Sequence, residues 1–239
     1  DVLALGYDND WARETDAQGA SVRRNINGVG AGSNTVAAAD LPGPCITGLI
    51  DLRDTAELGS GLVIEEGVIP GALAALLTPA LFFADALQGG EFEFGASQAK
   101  ERLLDAQAMA AAVQQPGALA GAAYTGAVAR TQTYLVMSLD DSAGRLRLQD
   151  DRLRIDWPHA GASPVIARDN DWINAASQAI GGQFIPNPLW TESMGKKLIT
   201  VHPLGGCGMG DDAATGVVNH QGQVFAGTSG ETVHAGLGS

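Results

Sequence analysis

Cysteine is scarce: Cys45 and Cys207 are the only two in 239 residues. That is too few for a disulfide scaffold in a chain of this length, so both thiols are expected to be reduced and not bonded to one another. No Asn-x-Ser/Thr acceptor occurs, so nothing marks a secreted glycoprotein. The compartment stays open, with the cytoplasm favoured over secretion or membrane association. Basic residues are also few, 14 against 27 acidic ones, for a net charge of −13. Proteins bind phosphate backbones through clustered Lys and Arg, and the scattered cations here exclude nucleic acid as a partner. A long uninterrupted apolar run is missing too. The most apolar region, 68–87, is broken by Pro70, Pro79 and Asp85, whereas a spanning helix needs about 20 largely continuous apolar residues; it reads as a buried or surface-apposed helix. No charged-then-apolar signal segment opens the chain at Asp1, and the expectation is of a sequence cut from something longer.

What is present suffices for a real core. Hydrophobic residues make up 45% and charged residues 17%, with 32 glycines, a mixture that fits a loop-rich α/β or α+β protein better than a helical bundle or a disordered segment. Residues 1–50 read as irregular, strand- and glycine-turn-rich chain, punctuated by Gly6, Gly19, Gly28, Gly30, Gly32, Gly43 and Gly48. Gly61–Glu65 reads as a strand entering a turn at Gly67 and Pro70, and 72–87 as helical despite Pro79. The best amphipathic helix is 96–113, with Leu103, Leu104, Ala106, Met109 and Val113 on its apolar side and Lys100, Glu101, Arg102 and Asp105 on the other. The small-residue stretch 116–129 is a linker or a second helix. Three antiparallel strands are expected at 131–139, 145–148 and 153–157, a helix at 170–180 ending at Gly181-Gly182, and a short strand at 197–201.

Several motifs invite a chemical reading. Gly28-Val-Gly30-Ala-Gly-Ser33 imitates a dinucleotide loop, but its third glycine is serine and neither a buried strand before nor a helix after it is indicated. Gly95-Ala-Ser97-Gln-Ala99 imitates a nucleophile elbow until its last position, so Ser97 reads as a helix cap. His202 and Cys207 do not make a metal site, because His159, His220 and His234 lie in no ligand spacing and zinc needs three or four converging ligands. In isolation His202 would read as a strand-end imidazole held by a neighbouring carbonyl. Its context argues for more: Pro203 fixes the backbone after it, and Gly205-Gly206 permit positive φ and close approach to something flat, such as a cofactor ring. Glu65 and Glu66 sit at a strand end, where an exposed acidic pair is the commoner meaning.

Together these pieces resemble a known family. Leu198-Ile-Thr-Val-His202-Pro-Leu-Gly-Gly-Cys-Gly-Met-Gly210, Thr215-Gly-Val-Val-Asn219 and Gly222-Gln-Val-Phe225 are similar to the C-terminal motif of glucose-methanol-choline (GMC) flavoprotein oxidoreductases, in their cholesterol oxidase branch. Asn25-Ile-Asn-Gly28, Gly43-Pro-Cys-Ile-Thr-Gly48, Ile50-Asp-Leu-Arg53 and Val63-Ile-Glu-Glu-Gly-Val-Ile-Pro70 look like segments of bacterial members in the same order. The resemblance implies an α+β chain forming part of a two-domain FAD-dependent fold. Residues 1–50 would lead into a substrate-binding domain over 51–197, with a mixed or antiparallel sheet and covering helices. Residues 198–239 would return to the FAD domain.

The same resemblance makes His202 the catalytic histidine and Glu65, five residues before Pro70, the acid, with Glu66 competing; Gly205 and Gly206 would contact FAD. It implies a bulky alcohol or sterol as substrate, oxygen or a dye-like or respiratory electron acceptor, and allows peripheral membrane contact to reach the substrate. Against the family pattern, the N-terminal Gly-x-Gly-x-x-Gly turn and the C-terminal Asp-Gly-Ser and Asn-Pro segment are absent from the sequence. The alternative expectation is therefore an inactive truncated fragment that binds apolar ligands or nothing.

Overall fold

The computed structural model describes residues 2–9, 13–15, 17–19, 21–23, 46, 48–54, 56–69, 71–87, 96–115, 117–202, 205–226 and 232–233. The chain divides into two compact units, Asp1–Asp140 with Gly161–Val201, and Asp141–Ala160 with His202–Ser239.

In the first unit the strands are β1 (Val2–Tyr7), β2 (Arg13–Thr15), β3 (Ser21–Arg23), β4 (Leu49–Asp51), β5 (Leu62–Glu66) and β6 (Gln132–Ser138). β7 (Arg145–Gln149) and β8 (Arg152–Asp156) belong to the second unit, and β9 (Gln183–Pro186) to the first. The helices, all in the first unit, are α1 (Ala74–Leu87), α2 (Ala96–Ala112), α3 (Ala118–Ala122) and α4 (Pro164–Ala179).

A five-stranded sheet in the order β4-β5-β6-β1-β9, antiparallel throughout, organises the first unit, so the protein is α+β. Apolar side chains cover both sheet faces. On one, Val2, Ala4, Leu62, Ile64, Tyr134 and Val136 pack with Ile166 and Ile173 of α4. On the other, Leu5, Tyr7 and Ile185 pack with Leu81 of α1 and with Ala123, Ala127 and Val128. This explains why β1 reads Val-Leu-Ala-Leu-Gly-Tyr without alternation: a strand covered on both faces needs apolar residues at every position. The stretch 1–50, read as irregular, thus opens with an interior strand. Its glycine-rich part, including Gly28, Gly30, Ser33 and Cys45, lies outside the described residues.

α4 begins at Pro164, a favoured first-turn residue with φ preset and no N–H to satisfy. It is therefore longer at its start than the helix expected from 170. It ends as its Gly-Gly sequence requires: Gly181 takes φ 70, and the N–H groups of Gly181 and Gly182 donate to the carbonyls of Gln178 and Ser177 at 2.9 and 2.8 Å, a Schellman closure. α1 runs through Pro79.

Three expectations are corrected. The segment 197–201 is not a strand; it is irregular chain tied by Lys197 N–H to the Leu189 carbonyl at 3.0 Å. β6 does not join β7 and β8: it sits inside the large sheet, while β7 and β8 pair only with each other. And α2 is turned over. Leu103, Leu104 and Val113 are exposed at 56, 41 and 86%, whereas Asp105 is 1% exposed. The cause is polar: Asp8 and Tyr7 end β1 in the interior, and α2 presents Arg102 to the Asp8 carboxylate and Asp105 to the Tyr7 hydroxyl. A buried charge must be paired, and that demand outweighs the exposure of two leucines and a valine.

In the second unit β7 and β8 form a hairpin with Gln149 opposite Arg152. Asp150 and Asp151 in its two-residue loop have φ 51 and 57, the conformation of a type I′ turn, whose twist matches that of the strands. The short strands β10 (Val224–Phe225) and β11 (Thr232–Val233) pair antiparallel in the same unit.

Candidate functional site

The sequence-derived acids lie in the first unit. Glu65 and Glu66 are the last two residues of β5, and strand alternation sends them to opposite faces. Glu65 stands opposite Leu49 and Leu135, on the face carrying Leu5 and Tyr7; Glu66 stands opposite Tyr134, on the face packed by α4. The chain then leaves the sheet at Gly67, whose N–H donates to the Thr133 carbonyl at 3.0 Å. A Cβ at Gly67 would fall 2.9 Å from Thr133 Cγ2, so a residue without a side chain is needed there. Across the strand pair, Glu66 N–H donates to the Gly48 carbonyl at 3.1 Å.

A cavity of about 460 Å³ opens at this end of the sheet, bordered by Leu49, Ile50, Ile64, Ile180, Tyr134, Gln132, Gly48 and both acids. Its size falls within the range of small-molecule sites. The walls are mostly apolar, with polar groups entering from β5 and β6. Tyr134 is buried, which pushes its phenol up to about 12, against the opposing effect of a hydrogen bond with Ser177. Glu65 Oε2 is enclosed and accepts no hydrogen bond among the described residues; a carboxylate oxygen in that state is costly unless a ligand or water meets it. Sequence reasoning found the acids but missed Tyr134, Gln132 and Ile180. They lie far from β5 in sequence: strand register brings Tyr134 and Gln132 to it, and the packing of α4 brings Ile180.

His202, Gly205 and Gly206 lie in the second unit. His202 is half-buried and in neither helix nor strand, and Pro203 and Leu204 lie outside the described residues. Gly205 and Gly206 both take left-handed backbone, φ 89 and 81, as their sequence suggested. A Cβ at Gly205 would meet none of the described residues within 4 Å, whereas one at Gly206 would lie 2.8 Å from Leu146 Cδ1 on β7. Beyond the exposed Cys207, the chain folds back on itself. Val217 N–H donates to the Gly208 carbonyl at 2.7 Å and Gly210 N–H to the Val218 carbonyl at 2.9 Å. A Cβ at Gly210 would lie 2.5 Å from the Gly216 nitrogen, so this pair must be glycine for the two segments to approach so closely. The Asp212 carboxylate closes the intervening turn, accepting from the N–H groups of Thr215 and Ala214 at 2.9 and 3.0 Å. Hydrogen bonds from Thr215 hold that carboxyl below its ordinary value.

Glu65 and Glu66 thus share one cavity in the first unit, and His202, Gly205 and Gly206 form one stretch of the second. Comparison with protein-family models, curated proteins and solved structures finds no match. Among the described residues no three His, Cys, Asp or Glu groups converge as metal ligands, and no helix is long and apolar enough to cross a membrane. Helix α2 begins at Ala96, one residue before Ser97.

Proposed function

We propose that this chain forms part of an FAD-dependent alcohol oxidoreductase of the GMC type, acting on a sterol or another bulky apolar alcohol, with oxygen or a respiratory carrier as final acceptor. The observation that carries the reading is the consecutive left-handed pair Gly205-Gly206 three residues after His202, with open space where a Gly205 side chain would stand. That bare backbone fits the edge of a flat ring system, and Gly205 and Gly206 would border it. FAD, when bound, supplies the two-electron acceptor that no side chain provides.

The chain's own residues supply the rest. His202 takes the hydroxyl proton, for which imidazole is suited at neutral pH. Glu65 serves a second step. Its Oε2 is enclosed and the residue borders a mostly apolar cavity; it moves a proton between carbons of the unsaturated steroid ketone that oxidation leaves and brings the double bond into conjugation. The cavity itself favours a second reading, in which the chain binds apolar ligands without redox activity, since its lining does not depend on a flavin.

Product analysis separates the two. In the protein expressed from its complete reading frame and loaded with FAD, Glu65→Gln should still oxidise an unsaturated hydroxysteroid but accumulate the unconjugated ketone. If Glu66→Gln does this and Glu65→Gln does not, the acid is Glu66; if no alcohol is oxidised by the loaded wild type, the binding reading replaces the redox one.

A further inference from the structure

Away from this cavity, the first unit holds a polar network inside its α1–α2 layer. Arg102 of α2 donates to Asp8 at 2.9 Å, to Asp85 of α1 at 2.7 Å and to Gln183 of β9 at 3.0 Å, and its guanidinium lies 4.8 Å from the centre of the Tyr7 ring. The Tyr7 hydroxyl continues the chain of contacts by donating to Asp105 Oδ2 at 3.1 Å. The Val128 N–H donates to the same oxygen at 3.2 Å.

Asp105 is the exceptional member. It is 1% exposed, yet no Lys or Arg pairs with it among the described residues. The nearby cations are engaged elsewhere: Arg102 with Asp8 and Asp85, and Arg130, ahead of β6, with Glu101 at 3.6 Å. Glu101, one turn earlier on α2, sets a like charge against it. Asp105 Oδ1 has no hydrogen-bond partner among the described residues and faces Gly126, where φ is 64 and any Cβ would overlap that oxygen and come 2.8 Å from the Glu101 carbonyl. The turn is thus closed down on the carboxyl. A carboxylate enclosed in this way without a cation is strongly disfavoured against its neutral form.

We propose that Asp105 is a proton-dependent latch: with its carboxyl neutral it fastens α2 to the end of β1 and to the turn at 126–128, and when it ionises that attachment weakens. Burial, reinforced by Glu101 and opposed by the hydrogen bonds from Tyr7, Val128 and Ala127, pushes the carboxyl up from 3.8 to about 7. The sign follows from linkage. The folded form holds the proton more tightly than the unfolded one, so the stabilisation is complete below 3.8 and is lost as pH rises to about 7. Between pH 5 and pH 8 that shift lowers the folded-to-unfolded ratio by about 100-fold.

The test is hydrogen exchange of the α2 amides in the whole chain, corrected for the intrinsic pH dependence of exchange, together with thermal unfolding at pH 5 to 8. Wild type should open more readily and melt lower as pH rises, and Asp105→Asn, which cannot ionise, should lose most of that slope. Parallel pH profiles in the two proteins overturn the latch. Should Asp105→Asn fail to fold, Tyr7→Phe decides. It removes a donor that favours the charged carboxylate, so the midpoint of the wild-type profile should move to higher pH, and an unmoved midpoint overturns the proposal equally.

Discussion

Replacing Arg102 by Met keeps the length of the side chain and removes its charge, which the structure makes a severe change. Its guanidinium is 11% exposed and neutralises Asp8, which is 0% exposed, while also binding Asp85 at 2.7 Å. Loss of one partner from a buried pair costs about 3–5 kcal/mol, because the other charge stays behind without its counter-ion. At roughly 2–4 °C per kcal/mol for a unit of this size, melting should fall by roughly 6–20 °C. The comparison is Arg53→Met, whose pair with Asp51 is 64 and 42% exposed and, screened by solvent, should matter far less to stability. Urea unfolding of both variants and of Asp8→Asn/Arg102→Met gives the energies; the double variant should recover part of the Arg102 loss. If Arg102→Met costs no more than Arg53→Met, the account of why α2 turns its charged side inward is wrong.

In the second unit, Gly205→Ala and Gly206→Ala should each cost about 1–2 kcal/mol in denaturant unfolding, from the left-handed backbone alone. Leu146, 46% exposed, can swing away from a new methyl at Gly206, so the two costs should be nearly equal; negligible costs would refute the assigned φ values. Cys207, exposed and free, should react with a thiol reagent in the native protein. Denatured, unreduced protein should titrate as two free thiols, Cys45 and Cys207; finding none would mean that they are bonded.

The elements were legible where local pattern and environment agree. The helix over 72–87, the strand ending at Glu65-Glu66 and the Gly181-Gly182 stop all follow from short-range chemistry that the fold leaves intact. α2 was located correctly and faced wrongly, because periodicity counts its leucines but does not reveal that Asp8 is buried 94 positions earlier in the chain. The strand over 132–138 was likewise found without its neighbours: β1 and β5 come from distant sequence, and adjacency to 145–156 suggested the wrong partners. Of the candidate site, the left-handed backbone of Gly205-Gly206 was readable from composition, whereas Glu65 and Glu66 stood out only through the family resemblance, their place at a strand end reading by itself as an ordinary acidic pair. Tyr134 and Ile180 were not legible, since they reach the cavity only through sheet register and the packing of α4. The partners of Asp105 were equally hidden, as Tyr7 lies 98 residues away.

The functional proposal is tested most directly by anaerobic mixing of the FAD-loaded protein, expressed from its complete reading frame, with a bulky hydroxysteroid while flavin absorbance is followed. The account predicts bleaching by the alcohol in wild type and a rate lower by about 10²- to 10⁴-fold in His202→Ala, the usual contribution of a general base, with substrate binding changed less. Equal rates of flavin reduction in wild type and His202→Ala would remove His202 from the chemistry, and a protein that takes up no flavin at all would contradict the assignment.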